Sequence, residues 1–98
     1  MRTKSDAEQL RYAATNGFVL ATYDIGDFKR LHLWWNTLYV WRIIRKPHGG
    51  ILAGKGNLLA KDWADALFDF LNRSPRRNLR NQMYTYSGNP ALWELVRP

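Results

Sequence analysis

Phe18 to Phe28 reads Phe-Val-Leu-Ala-Thr-Tyr-Asp-Ile-Gly-Asp-Phe and constrains this chain more than any other stretch. Its first six residues are apolar or aromatic apart from Thr22, with no alternation, the pattern of a strand buried on both faces of a parallel sheet. The apolar run stops at Asp24, Gly26 interrupts it, and an amphipathic segment follows Asp27. Strand, short turn and helix in that order predict Asp24 at the carboxyl end of the strand and Asp27 at the helix N-cap. In open α/β sheets that end of a strand is where ligands and catalytic groups gather. A carboxylate closing an apolar strand needs solvent, a partner or a metal, and this pair could share a divalent cation. An N-cap role alone would also account for Asp27.

The 98 residues make one domain, large enough for a core, and 46% hydrophobic content is that of an ordinary folded protein. Cysteine is absent, which excludes disulfide frameworks and thiolate metal sites and suits a cytoplasmic location. No apolar run approaches the length of a membrane span, and Met1 to Asp6 leads into no signal-peptide core. The net charge of +7 is unevenly spread. Between Phe28 and Lys61 there is no carboxylate, whereas Lys29, Arg30, Arg42, Arg45, Lys46, Lys55 and Lys61 lie there. The acidic residues cluster instead at Asp6–Asp27 and Asp62–Asp69, with Glu94 alone beyond them. A basic surface around a local acidic pocket suits a phosphodiester substrate, and equally an acidic protein partner.

Ser5-Asp6-Ala7-Glu8 is a capping box that predicts a first helix to Asn16, with Leu10, Ala13 and Ala14 on its apolar face and Gly17 as its stop. Glu8 therefore has a structural role available to it. From Phe28 a long helix is predicted, with Leu31, Trp34, Trp35, Leu38 and Trp41 at three- and four-residue spacing, ending before Pro47. Neighbouring Trp34 and Trp35 cannot both face a core. One of them belongs at an edge, packed on another element or offering a stacking platform for bases. His32, a turn past Asp27, fits either the carboxylates or a capping or surface role. Gly49–Gly54 predicts a second buried strand, and Leu58–Asn72 an amphipathic helix with Asp62, Asp65 and Asp69 on its solvated side. Ser74-Pro75 predicts a fourth helix, stopped by Gly88-Asn89-Pro90, and residues 88–98 read as a tail.

Ser5-Asp6-Ala7-Glu8-Gln9-Leu10, Gly17 to His32, His48-Gly49-Gly50-Ile51-Leu52 and Leu79-Arg80-Asn81 together resemble, in order, the PIN-like proteins of the small toxin-related branch. That family pairs a Ser/Thr-Asp-Glu-Glu-Gln-Leu helix start with a Val-Leu-(Val/Leu)-Thr-(His/Asn)-(Asp/Asn)-x-x-Asp-Phe-x-(Arg)-Leu-His segment. A His-Ala-Gly-Ile-Ile strand and a Leu-Arg-Asn-like triplet follow. The resemblance implies an α/β fold, a three-layer α/β/α remnant with a small parallel sheet of about two strands and four helices over the single domain 1–98. It also implies that a strand carrying the family's first active-site Asp, with a helix and another strand, is missing in front.

By the same resemblance, the chain is a magnesium-dependent ribonuclease of toxin–antitoxin type, reduced or inactive as it stands. Asp24, Asp27, Asp6 and Glu8 are the catalytic candidates, and Asp24, Asp27 and Asp6 would hold Mg or Mn. Lys29, Arg30 and His32 would engage RNA. The alternative is a non-catalytic basic module that binds RNA or a partner protein. The missing strand would leave the edge beside Phe18–Tyr23 open to an antitoxin or to a second copy.

Overall fold

The computed structural model describes residues 5–56, 58–88 and 92–96. In chain order they form α1 (Asp6–Asn16), β1 (Leu20–Thr22), α2 (Ile25–Val40), β2 (Ile51–Gly54), α3 (Ala60–Arg73), a 3-10 turn (Arg76–Leu79), β3 (Met83–Tyr86) and β4 (Trp93–Leu95). The class is α/β. One sheet runs in the order β1-β2-β3-β4, parallel across the first three strands and antiparallel between β3 and β4.

Register and pleat assign each side chain to a face. Ile51 pairs with Leu20 and Met83, and Ala53 with Thr22 and Thr85. On this face Ile51, Ala53 and Met83 meet Leu10 of α1 and Phe28 of α2, with Leu20, Ile25, Leu31, Trp35 and Val96 packed around them. Leu52, Gly54, Tyr84 and Tyr86 point the other way, and α3 covers them. Trp63 lies 5.7 Å from Tyr23, 6.4 Å from Tyr86 and 5.7 Å from Trp93, ring centre to ring centre. Phe70 lies 4.9 Å from Tyr84 and 4.7 Å from Trp93. A Cβ on Gly54 would come within 2.9 Å of the Trp63 ring, so glycine lets the indole lie against β2. Strand order advances one way while the α2 and α3 crossovers lie on opposite faces. The two connections therefore have opposite hands, and only one is the usual right-handed kind.

The first helix forms as its sequence predicts: Ser5 Oγ accepts from the Glu8 amide at 3.2 Å, and Gly17 ends it at φ +70°. Leu10, Ala13 and Ala14 are buried. Several expectations need correction. The sheet has four strands rather than two, and three α-helices are present among the described residues rather than four. The segment after Pro75 makes only one 3-10 turn, and Met83–Tyr86 is a strand that hydrogen-bonds β2 in register. Part of the predicted tail, Trp93–Leu95, is the antiparallel edge strand. The expected helix stop at Asn89-Pro90 lies outside the described residues. Asp24, not Asp27, is the N-cap of α2, because the helix starts at Ile25, before Gly26. Among the described residues, no helix is long and apolar enough to cross a membrane.

Candidate metal centre

Asp24 follows β1 and caps α2. Its amide donates to Thr22 Oγ1 at 3.1 Å, and its Oδ1 accepts from the Asp27 amide at 3.1 Å. That bond leaves the Asp27 side chain in the first turn of α2, beside its cap. Asp6 is the first residue of α1, which packs against α2. The helix starts thus meet, and their positive dipole ends favour negative charge at this place. One oxygen each from Asp6, Asp24 and Asp27 lies within 4.8 Å of the others, a group that could hold a metal ion.

Electrostatics agree with the geometry. Hydrogen bonding and charge from Asp24, with some burial and the charge of Asp6, push the Asp27 carboxyl up, and Arg30 partly opposes them. Like charges this close favour a shared proton or a cation between them. Arg30 makes an ion pair with Asp27, a partial neutralisation by the chain's own side chain. Beside the pair a shallow pocket of about 340 Å³ is lined by Asp6, Ala7, Asp27, Arg30, Leu31 and Trp34.

An all-oxygen donor set of carboxylates is of the kind that hard cations take.

The other candidates fall elsewhere. Glu8 is exposed and lines a separate patch with Arg11, Tyr12 and Thr15, apart from the carboxylate group. Lys29 and Arg30 are exposed on α2. His32 is buried rather than facing solvent: it is 1% exposed, and its Nδ1 lies 2.9 Å from Nε2 of buried His48. The reason is helical phase. His32 stands four residues from buried Phe28, on the stripe facing the sheet.

Sequence reasoning assigned no role to the polar cluster that His32 enters. Gly50 N–H donates to His48 Nδ1 at 3.1 Å, and the His48 amide donates to Asn81 Oδ1 at 3.0 Å. Asn36 Nδ2 lies 3.2 Å from His32 Nε2 and donates to the Asn81 carbonyl at 3.3 Å. Asn36 at four residues from His32 was the available signal. Trp34 and Trp35 divide as their adjacency requires. Trp35 is half-buried with its indole N–H donating to the Lys46 carbonyl, while Trp34 is 65% exposed beside the carboxylates.

No protein-family model matches the chain, and no curated protein or solved structure matches it.

Proposed function

We propose that the chain is a PIN-like, magnesium-dependent ribonuclease of toxin–antitoxin type. The observation that supports this most is the meeting of Asp6, Asp24 and Asp27 at the carboxyl end of a parallel strand. The resembling segments supply these residues: Ser5 to Leu10 contributes Asp6, and Gly17 to His32 contributes Asp24 and Asp27. A divalent cation held there would neutralise charge on a phosphodiester and lower the pKa of a bound water. Asp24 holds its orientation through the Asp27 amide, so one carboxylate oxygen is committed to the helix and the other stays available. With a cation on Asp27, Arg30 would be free of that carboxylate and able to meet a phosphate oxygen, with Lys29 nearby in sequence. Glu8 has no part in this arrangement.

The decisive experiment is cleavage of a fluorophore–quencher oligoribonucleotide with magnesium, comparing the intact chain with Asp24→Asn. Asparagine caps helices as well as aspartate does, so the fold is retained. Cleavage and magnesium affinity should each fall by at least about tenfold. Equal cleavage by both chains rejects the site.

A second reading draws on the edge position of β1, whose outer side has no strand partner among the described residues. On that reading the chain is a non-catalytic basic module that binds RNA, an antitoxin-like protein or a second copy through the edge. Absence of both magnesium binding and cleavage, with salt-sensitive RNA retention, favours it.

A further inference from the structure

Resting on the ribonuclease reading for the identity of the polymer, we propose that the exposed stripe of α2 is a track for single-stranded RNA. On it Trp34 stacks the base beside the carboxylates, and Trp41 stacks a base further along the strand.

Helical phase puts these groups in one row. Asp27, Trp34 and Trp41 stand at seven-residue intervals, which return to almost the same side of an α-helix. Trp34 is 65% and Trp41 68% exposed, although both fit the apolar spacing of the helix. The buried face is taken by Phe28, His32 and half-buried Trp35 instead. Arg30 and Thr37 stand in the same solvent-facing sector, and Trp34 shares its pocket with Asp6, Asp27 and Arg30. A base lying on Trp34 would therefore have its phosphate within reach of the carboxylates.

Trp34 and Trp41 are separated by about 10 Å along the axis at 1.5 Å rise per residue. That distance is on the order of three nucleotides at the 3.4 Å per-strand rise of a helical backbone. Beyond Trp41, the C-cap of α2, exposed Arg42 and Arg45 lie in the turn that follows the helix, and no carboxylate occurs between Phe28 and Lys61 to repel the backbone.

Exposed indoles flanked by cationic side chains are the elements of single-strand binding, where an aromatic face serves any unpaired base. Duplex RNA hides those faces. An apolar protein partner would also use tryptophan and arginine. The long carboxylate-free run favours the polyanion.

The test is fluorescence anisotropy of a labelled single strand of about twelve nucleotides, in EDTA so that cleavage plays no part. Trp34→Ala should weaken binding by about tenfold, and Trp41→Ala by about fivefold. Trp34→Phe should keep most of the affinity, because an aromatic face remains. Phe68→Ala, 72% exposed on α3 across the sheet, is the control and should bind as the unaltered chain does. The matching duplex should bind more weakly. Circular dichroism checks that each variant is folded. Wild-type affinity in both alanine variants overturns the track, as does a duplex bound as tightly as the single strand, or no RNA binding by the intact chain. Tryptophan-dependent binding without any magnesium-dependent cleavage would instead retire the ribonuclease reading and leave the track standing.

Discussion

His32 and His48 place two imidazoles against each other under a sheet, with no carboxylate in the cluster to favour a proton. Gly50 N–H occupies Nδ1 of His48, which puts that ring's proton on Nε2, directed at His32 Nδ1. On the flanking loops, cationic Lys46 and Arg80 line a pocket with Pro47 and Gly49, while Asn36 and Asn81 face the rings from α2 and the turn before β3. Burial lowers His32 from 6.5 to about 4, and burial with the charge of His32 lowers His48 from 6.5 to about 3. The unfolded chain takes up protons as pH falls through 6.5, whereas the folded chain does not. Stability is therefore full above pH 6.5 and is lost as pH drops from 6.5 towards 4, by about 1.4 kcal/mol per pH unit for each imidazole. Urea titrations at pH 7.5 and pH 5 should show a lower midpoint at pH 5. His48→Gln, which keeps an acceptor for Gly50 but does not titrate, should halve that difference. Equal midpoints at the two pH values in the unaltered chain would refute the account.

At the scale of elements, the start of β2 is held by a close approach rather than by side-chain packing. A Cβ on Gly49 would sit 2.5 Å from the Phe18 carbonyl oxygen, a backbone atom that cannot swing aside. Gly49→Ala should therefore push β2 away from the α1–β1 turn and cost about 1–3 kcal/mol. Gly56→Ala meets nothing within 4 Å and should change stability little or raise it. Thermal melts of the two variants read the contrast, and equal melting temperatures would show that the approach is not tight.

The elements divide the same way in how they could be read. α1 was legible to the residue, because capping box, apolar spacing and Gly17 act locally. The carboxylates were legible because a strand that ends in Asp leads into a capped helix. β3 was not, since Ser74-Pro75 signals a helix start and the basic residues after it are good helix formers. The period-two Met-Tyr-Thr-Tyr of Met83–Tyr86 was the competing signal, and its pairing with β2 and the rings of α3 decided the outcome. The fate of Trp34 was undecidable from spacing alone, for Trp35 fitted the same core position equally well.

Over the whole molecule, the charge of +7 sits on a chain whose carboxylates are confined to the start of α1 and α2, the solvated side of α3, and Glu94. A polyanion approaching α2 therefore meets Lys29 and Arg30 near the start of the helix, Arg42 and Arg45 past its end, and negative charge only at the start, where a divalent ion would offset most of it. This distribution makes a quantitative demand on binding. Each phosphate neutralised on a single strand contributes about −0.7 to the slope of log affinity against log salt. Arg30, Arg42 and Arg45, with Lys29 beside them, would engage on the order of three to four phosphates, which gives a slope between about −2 and −3. Arg45→Ala, exposed beyond the end of α2, should reduce the slope by about 0.7 and weaken all single strands alike, since a phosphate contact reads no base. Trp34→Ala should weaken binding without changing the slope, because stacking releases no counterions. Anisotropy titrations at four salt concentrations separate the two effects. A slope near zero in the unaltered chain would mean that the cations of α2 do not touch the backbone, and the polyanion would then have to lie elsewhere on the molecule.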